Sequence, residues 1–293
     1  MSDREKIAAP KSAGTVTLGE LTVHRLGYGA MRITGPGVWG PPKDRSSALA
    51  VLRRAVELGV NFIDTADSYG PEISEDLIAE ALSPYPRDLV IATKGGWVRP
   101  GPGLWAHNAT PDHLRKAVEG SLKRLRLNRI DVYQLHIPDP VVSLEASVGT
   151  LAQLQSEGKI RLIGLSNVTR EHIERARKIV PIVSVQNRYS FADREWDYLV
   201  DYCEQNGIVF IPWFPLGAGQ AAKEAVDRIA DVHSAKPMQV ALAWLLQRSP
   251  LLLPIPGTSS IAHLEENMLG RSLRLTEAEF EELAGVPQLA FTR

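Results

Sequence analysis

Residues 61–70 read NFIDTADSYG, and the way this stretch passes from apolar to polar decides the fold. Asn61-Phe62-Ile63 is an apolar run, Asp64 closes it, and Tyr69 follows five residues later beside Gly70. A short, near-continuous apolar run that breaks into turn residues suits a strand covered on both faces. Taken alone, the polar end is either an ordinary turn or the rim of an active site.

The same kind of run recurs outward in both directions. RLGYG (25–29) precedes it, and LVIATK (89–94), IDVYQLH (130–136) and IRLIGLS (160–166) follow. IVSVQN (182–187), IVFIPW (208–213) and LLLPIP (251–256) complete a set of eight with NFIDTA (61–66). Between them lie segments with apolar residues at three- and four-residue spacing, the mark of helices packed by one face. SSALAVLRRAVELG begins with serines suited to an N-cap and stops at a glycine suited to the position after the helix. TPDHLRKAVEGSLKRL starts with a threonine cap, a proline at the first helical position and an acid in the first turn. EASVGTLAQLQSEG also ends on glycine, and MQVALAWLLQRS is apolar enough to pack on most sides.

Eight buried strands alternating with helices predict an α/β fold, a (β/α)8 barrel. The competing architecture is a doubly wound sheet. Its dinucleotide fingerprint is absent, since GYGAMR has two of the three glycines and no helix directly after them. TVTLGELTVHRL, ahead of the first strand, reads as a β-hairpin turning at Gly19-Glu20, a cap for the barrel floor. No break in composition marks a second domain, so residues 1–293 are expected to form one domain, with 1–13 a loose leader.

The chain of 293 residues carries a formal net charge of −1, which gives no electrostatic reason to expect nucleic acid or an anionic membrane as partner. Its single cysteine, Cys203, cannot form an internal disulfide, and no signal-peptide pattern opens the chain. A cytoplasmic location is expected. No metal site is expected either, and nothing in the sequence sets the oligomeric state.

In a barrel of this kind, chemistry belongs to the strand C-termini and the loops after them. Those ends carry Asp64 and Tyr69, Lys94, His136, Ser166-Asn167, Gln186 and Trp213. Each has a bland reading. Asp64 suits a turn, Lys94 a solvated strand end, His136 a satisfied core histidine, and Ser-Asn the cap of a helix beginning near Thr169. Together they make a proton donor. A tyrosine with a pKa near 10 gives up its proton too reluctantly. A lysine ammonium beside it favours the phenolate, and an aspartate holds that lysine charged. A histidine across the mouth orients a carbonyl oxygen or relays the proton.

The residues resemble the aldo-keto reductases over nearly the whole chain, from LGYGAM to HLEENM. The resemblance implies a catalytic set of Asp64, Tyr69, Lys94 and His136, with Tyr69 as general acid. It implies that Ser166, Asn167 and Gln186 hold the nicotinamide carboxamide, and that Gly29, Ala30, Met31 and Asp64 also bind the cofactor. WFPLG resembles the family's cofactor loop, which makes Trp213 the plate under the nicotinamide, followed by Phe214, Pro215, Leu216 and Gly217. IPGTSSIAHLEEN resembles the adenosine segment, giving Ile255, Gly257, Thr258, Ser259, His263, Glu266 and Asn267. Gly257 stands where a lysine is common and His263 where an arginine often is. Backbone N–H groups at a helix start and His263 are left to hold a phosphate, so NADP(H) is favoured and NAD(H) is the alternative. The chain is similar to a bacterial subgroup that includes pyridoxal reductases. Met31, Trp39, Trp97 and Trp105 are expected to line a substrate pocket for a planar or aromatic carbonyl. Two other functions use the same residues: a Schiff-base aldolase with Lys94 as nucleophile, and a non-catalytic NADPH-sensing subunit.

Overall fold

The computed structural model describes residues 13–213 and 220–288. Two short antiparallel strands come first, β1 (Thr15–Leu18) and β2 (Leu21–His24), joined at Gly19-Glu20 as the sequence predicts. A curled parallel sheet follows, made of β3 (Tyr28–Gly29), β4 (Phe62–Asp64), β5 (Val90–Gly95), β8 (Ile130–Leu135), β9 (Ile160–Ser166), β10 (Ile182–Gln186) and β11 (Val209–Phe210). These seven lie side by side in chain order. A third, two-stranded piece, β6 (Trp97–Val98) and β7 (Ala106–His107), stands in the loop after β5.

The helices alternate with these strands: α1 (Arg45–Glu57), α2 (Ile73–Leu82), α3 (Pro111–Leu125), α4 (Leu144–Ser156), α5 (Arg170–Ala176), α6 (Asp197–Gln205), α7 (Gln220–Val232), α8 (Pro237–Arg248), α9 (Ile261–Leu269) and α10 (Glu277–Ala284). Helix α3 has the expected start, with the Thr110 side chain accepting from the His113 N–H and Pro111 in the first turn. Helix α1 differs. Its cap is Asp44, whose carboxylate accepts from the Ser47 N–H and from both serine hydroxyls. A carboxylate offers more acceptor sites than a hydroxyl, so it takes the cap and turns the two serines into its donors.

The expected eighth strand, 251–256, does not form a ladder. Leu252 makes an isolated parallel bridge to Phe210, and beyond it the segment runs extended between β11 and β3. On the β3 side the N–H groups of Gly27 and Gly29 donate to the carbonyls of Pro254 and Pro256. The two prolines have no N–H to return. On the β11 side the Phe210 N–H donates to the Leu251 carbonyl and the Leu253 N–H to the Phe210 carbonyl, so the bonds run one way on the β3 side alone, and eight predicted strands appear as seven plus a seam.

Side-chain parity explains where the mouth lies. Phe62, Val90, Val132 and Leu162, near the starts of their strands, pack in one buried cluster with Val16, Leu18 and Val23 of the hairpin. The hairpin is thus the plug of the barrel floor. Two or four residues further along the same faces come Asp64, Lys94, Gln134, His136 and Ser166. One side of the sheet is apolar at the floor and polar at the opposite end.

Candidate active site

Three strand ends, β4 with the turn after it, β5 and β8, bring the titratable groups together. Lys94, with no exposed surface, donates from Nζ to Asp64 Oδ2 at 2.6 Å and to the Thr65 carbonyl at 2.9 Å. Its ammonium sits 5.3 Å from the centre of the Tyr69 ring. Tyr69 meets His136 edge-on, the ring centres 5.9 Å apart and the planes at 80°. The loop that carries Tyr69 is a tight turn, with the Tyr69 N–H donating to the Ala66 carbonyl. Gly70 ends the turn at φ +100°, where a Cβ would lie 2.5 Å from that of Ile73. Only glycine permits that conformation, and it lets Tyr69 lean back over Lys94.

Burial dominates the electrostatics. It pushes the Tyr69 phenol above the ordinary tyrosine value, and the opposing pull of the Lys94 ammonium does not reverse the direction. Lys94 pulls the phenol down, in the direction expected from the sequence, but desolvation outweighs that charge. Burial also disfavours the Lys94 ammonium, but the Asp64 carboxylate and the Tyr69 phenol together lift it above the ordinary lysine value. Burial, followed by repulsion from Lys94, holds His136 well below the usual histidine range, so the imidazole is neutral at pH 7.

Asp64 has three donors rather than one. Its Oδ1 accepts from Gln186 Nε2 at 2.8 Å and from Gln134 Nε2 at 3.2 Å. Reading strand ends missed Gln134, which lies inside β8; its signal was a polar residue in an otherwise apolar strand, in phase with His136. Ser68 was missed as well. Its hydroxyl, in the turn before Tyr69, lies 3.5 Å from His136 Nδ1. Asn167 adopts φ +57° and donates from Nδ2 to the His136 carbonyl at 3.0 Å and to Ser166 Oγ at 3.1 Å.

These groups face a cavity of about 600 Å³ at the polar end of the barrel, a size suited to a small ligand. Asp64, Tyr69 and His136 form part of its wall, with Ser166, Asn167 and Gln186 along one side. Gly29, Met31, Ile255 and Gly257 line another side, and Trp97, Trp105 and Trp213 give it aromatic faces. Lys94 lies behind that wall. Trp39 does not reach the cavity: its backbone bridges Gly70 and its ring lies over Arg99.

A second cavity of about 570 Å³ adjoins the first, sharing Met31, Arg32 and Gly257 and adding Thr258, Ser259 and Lys43. At their junction Gly29 and Gly257 pass so closely that a Cβ on Gly257 would lie 2.6 Å from the Gly29 carbonyl oxygen. No side chain fits there. Glycine at 257 is thus a packing requirement of this chain. The amide and hydroxyl set at 166, 167 and 186 suits a carboxamide, and the open backbone at 257–259, before the Ser260 cap of α9, suits a phosphate. These residues fit a dinucleotide. Ala30 is buried, and its carbonyl accepts from Ser74 Oγ. His263 is exposed, its N–H donating to the Ser260 cap, while Glu266 and Asn267 lie further along α9, outside both cavity walls. Phe214, Pro215, Leu216 and Gly217 lie outside the described residues, as do residues 1–12.

Comparison with known proteins places the chain in a family. Residues 25–287 match the Aldo/keto reductase family. The chain is 48% identical over 282 residues to the pyridoxine 4-dehydrogenase of Escherichia coli, covering 94% of this chain and 99% of that one. Among solved structures it resembles the thermostable aldo-keto reductase Tm1743 with bound epalrestat, at TM-score 0.82 and 31% identity over 92% of this chain and 98% of that one. An aldo-keto reductase from Klebsiella pneumoniae in complex with NADPH aligns at TM-score 0.79 and 26% identity, over 92% and 93% of the two chains.

Proposed function

The chain belongs to the aldo/keto reductase family of oxidoreductases, and on that premise we propose that it reduces an aldehyde or ketone to an alcohol with NADPH. The observation that carries the proposal is one contact chain: Asp64 to Lys94, Lys94 against Tyr69, and Tyr69 against His136 at the wall of an aromatic cavity. When bound there, NADPH would supply the hydride for the carbonyl carbon. Tyr69 gives its proton to the carbonyl oxygen. The Lys94 ammonium stabilises the phenolate left behind, and Asp64 keeps Lys94 charged and in place. Neutral His136 offers an N–H to orient the carbonyl oxygen, and the Ser68 hydroxyl beside Nδ1 leaves Nε2 for that task.

Asp64, Gly29, Ala30, Met31, Ser166, Asn167, Gln186 and Trp213 are proposed to hold the nicotinamide half, and Ile255, Gly257, Thr258, Ser259 and His263 the adenosine half, with Glu266 and Asn267 of α9, beyond the cavity walls, at its far end. NADPH is favoured over NADH because a relative of this chain is known with NADPH bound. Arg32 and Lys43 beside Gly257–Ser259 add positive charge near the place where the sequence lacks the usual lysine. The substrate reading is a planar or aromatic carbonyl, pyridoxal among them. It rests on the tryptophan faces of the cavity and on the 48% identical pyridoxine 4-dehydrogenase.

A Schiff-base role for Lys94 has no support in this geometry, because a nucleophilic amine must be neutral and this one is held charged by its partners. The test is an assay of NADPH and NADH, each against pyridoxal, 4-nitrobenzaldehyde, a diketone and a sugar. NADPH oxidation that requires a carbonyl and favours the first two is the expected result. Absence of turnover with every carbonyl would overturn the reading.

A further inference from the structure

Arg99 is buried, at 9% exposure, and touches no carboxylate among the contacts of the described residues. Its guanidinium is held by carbonyls alone. Nη1 donates to Val38 at 2.7 Å and to Ser68 at 3.3 Å, Nη2 to Gly37 at 3.1 Å, and Nε to Leu104 at 2.9 Å. The same group stacks 3.8 Å from the centre of the Trp105 ring and lies 5.5 Å from that of Trp39. One side chain thereby gathers three segments: the loop after β3, the turn that ends in Tyr69, and the β6–β7 arm that carries Trp97 and Trp105. Burying a guanidinium without a counter-charge is costly, so it persists where a planar fork of donors is needed to reach several acceptors at once.

What this gathering controls follows from the partners. Trp97 meets Trp105 edge-on at 5.8 Å and lies 4.4 Å from the His107 ring, and both tryptophans face the cavity. The Gly40 N–H donates to the Gly70 carbonyl and the Gly70 N–H to the Val38 carbonyl, so the loop after β3 is already laced to the residue following Tyr69. Arg99 ties the β6–β7 arm to that lacing, and through the Ser68 backbone to the residue whose hydroxyl lies beside His136. We propose that Arg99 is a positioning residue that fixes the aromatic wall at a set distance from Tyr69 and His136, and so determines selection of planar aromatic over aliphatic carbonyls.

The inference rests on the reductase reading given above and deepens it. The test compares Arg99→Lys and Arg99→Met with the unaltered enzyme, using NADPH with 4-nitrobenzaldehyde and with butanal. Lysine keeps the charge but has one nitrogen and no plane to stack. For both variants KM for the aromatic aldehyde should rise by about tenfold or more, with kcat within about threefold and the Kd for NADPH within about twofold. Butanal KM should hardly change, so the preference for the aromatic aldehyde collapses. A general loss of stability would instead lower kcat for both aldehydes with KM unchanged, and that result overturns the inference. If the unaltered enzyme reduces neither aldehyde nor any other carbonyl, the reductase reading fails first. Should both variants fail to fold, hydrogen exchange of the unaltered protein decides. Segments 35–40, 67–70 and 99–105 should open as one unit, and separate opening rates overturn the proposal.

Discussion

Lys94 Nζ lies 2.6 Å from Asp64 Oδ2, and both side chains are buried. An ion pair withdrawn from water is costly to form and costlier to break, because removing one partner strands the other charge. Here the stranding is limited by Gln186 and Gln134, which donate to the second carboxylate oxygen, and by the Thr65 carbonyl, which accepts from Lys94. The pair is a fixed dipole set behind Tyr69.

Replacing Asp64 by Asn leaves the Lys94 ammonium buried without its charge partner, and the expected cost is about 3–5 kcal/mol of folding stability. Lys94→Met paired with Asp64→Asn removes both charges and should recover part of that loss. Urea denaturation of the three variants checks this. Additive losses would mean that the two side chains do not interact.

Tyr69→Phe removes the proton donor and little else, since the phenol ring and its edge contact with His136 stay in place. Turnover should fall by about 10²–10⁴-fold. NADPH binding, followed by quenching of tryptophan fluorescence, should be unaffected. Turnover equal to that of the unaltered enzyme would remove Tyr69 from the chemistry.

Burial raises the Tyr69 pKa above its ordinary value of about 10 and lowers that of His136 below about 6.5. Carbonyl reduction needs the protonated phenol, so its rate should stay level from pH 6 to 9, as set by Tyr69, and decline only above about pH 10. Alcohol oxidation needs the phenolate and should rise through the same alkaline range. A reduction limb that falls between pH 7 and 8 would contradict the assignment.

His136 also links stability to pH. Its folded pKa is depressed, so below about pH 6.5 the unfolded chain takes up a proton that the native imidazole refuses. The stability it contributes is present above that pH and is lost as pH falls toward the folded value. Unfolding free energy should therefore drop from pH 7 to 5, and the drop should be shallower in His136→Gln. Equal slopes in the two proteins would show that His136 is not the linked group.

Gly257→Lys adds a positive charge beside the proposed phosphate cradle, yet it should weaken binding of both NADPH and NADH. Its Cβ would press on the Gly29 carbonyl and displace the strand end that lines the cavity. Isothermal titration with both dinucleotides checks this, and tighter NADPH binding would refute it.

The barrel was legible because eight apolar runs alternate with capped helices, and the strand ends were legible because polarity appears there abruptly. Gln134 escaped because only the ends were read; following side-chain parity back from His136 would have found it. Arg99 escaped for a different reason. Its acceptors at Val38 and Ser68 are 61 and 31 residues away in sequence, and they are backbone carbonyls, which leave no trace in residue type. Trp39 illustrates the converse. Its loop position suggested the cavity, but pairing with Gly70 turned it onto Arg99 instead. The seam at 251–256 was predicted as a strand because its apolar run is real, while the cost of two prolines to a ladder depends on which neighbours they face.

That seam gives the barrel a stave with few fastenings. Gly27 and Gly29 reach across to Pro254 and Pro256, and nothing returns from either proline. The segment then runs directly into 257–259, the proposed phosphate cradle, so whatever occupies the cradle also bridges a joint fastened from one side only. A dinucleotide lying there would act as a hoop. Its affinity would then include the work of holding the barrel shut, and the melting temperature would climb with ligand concentration.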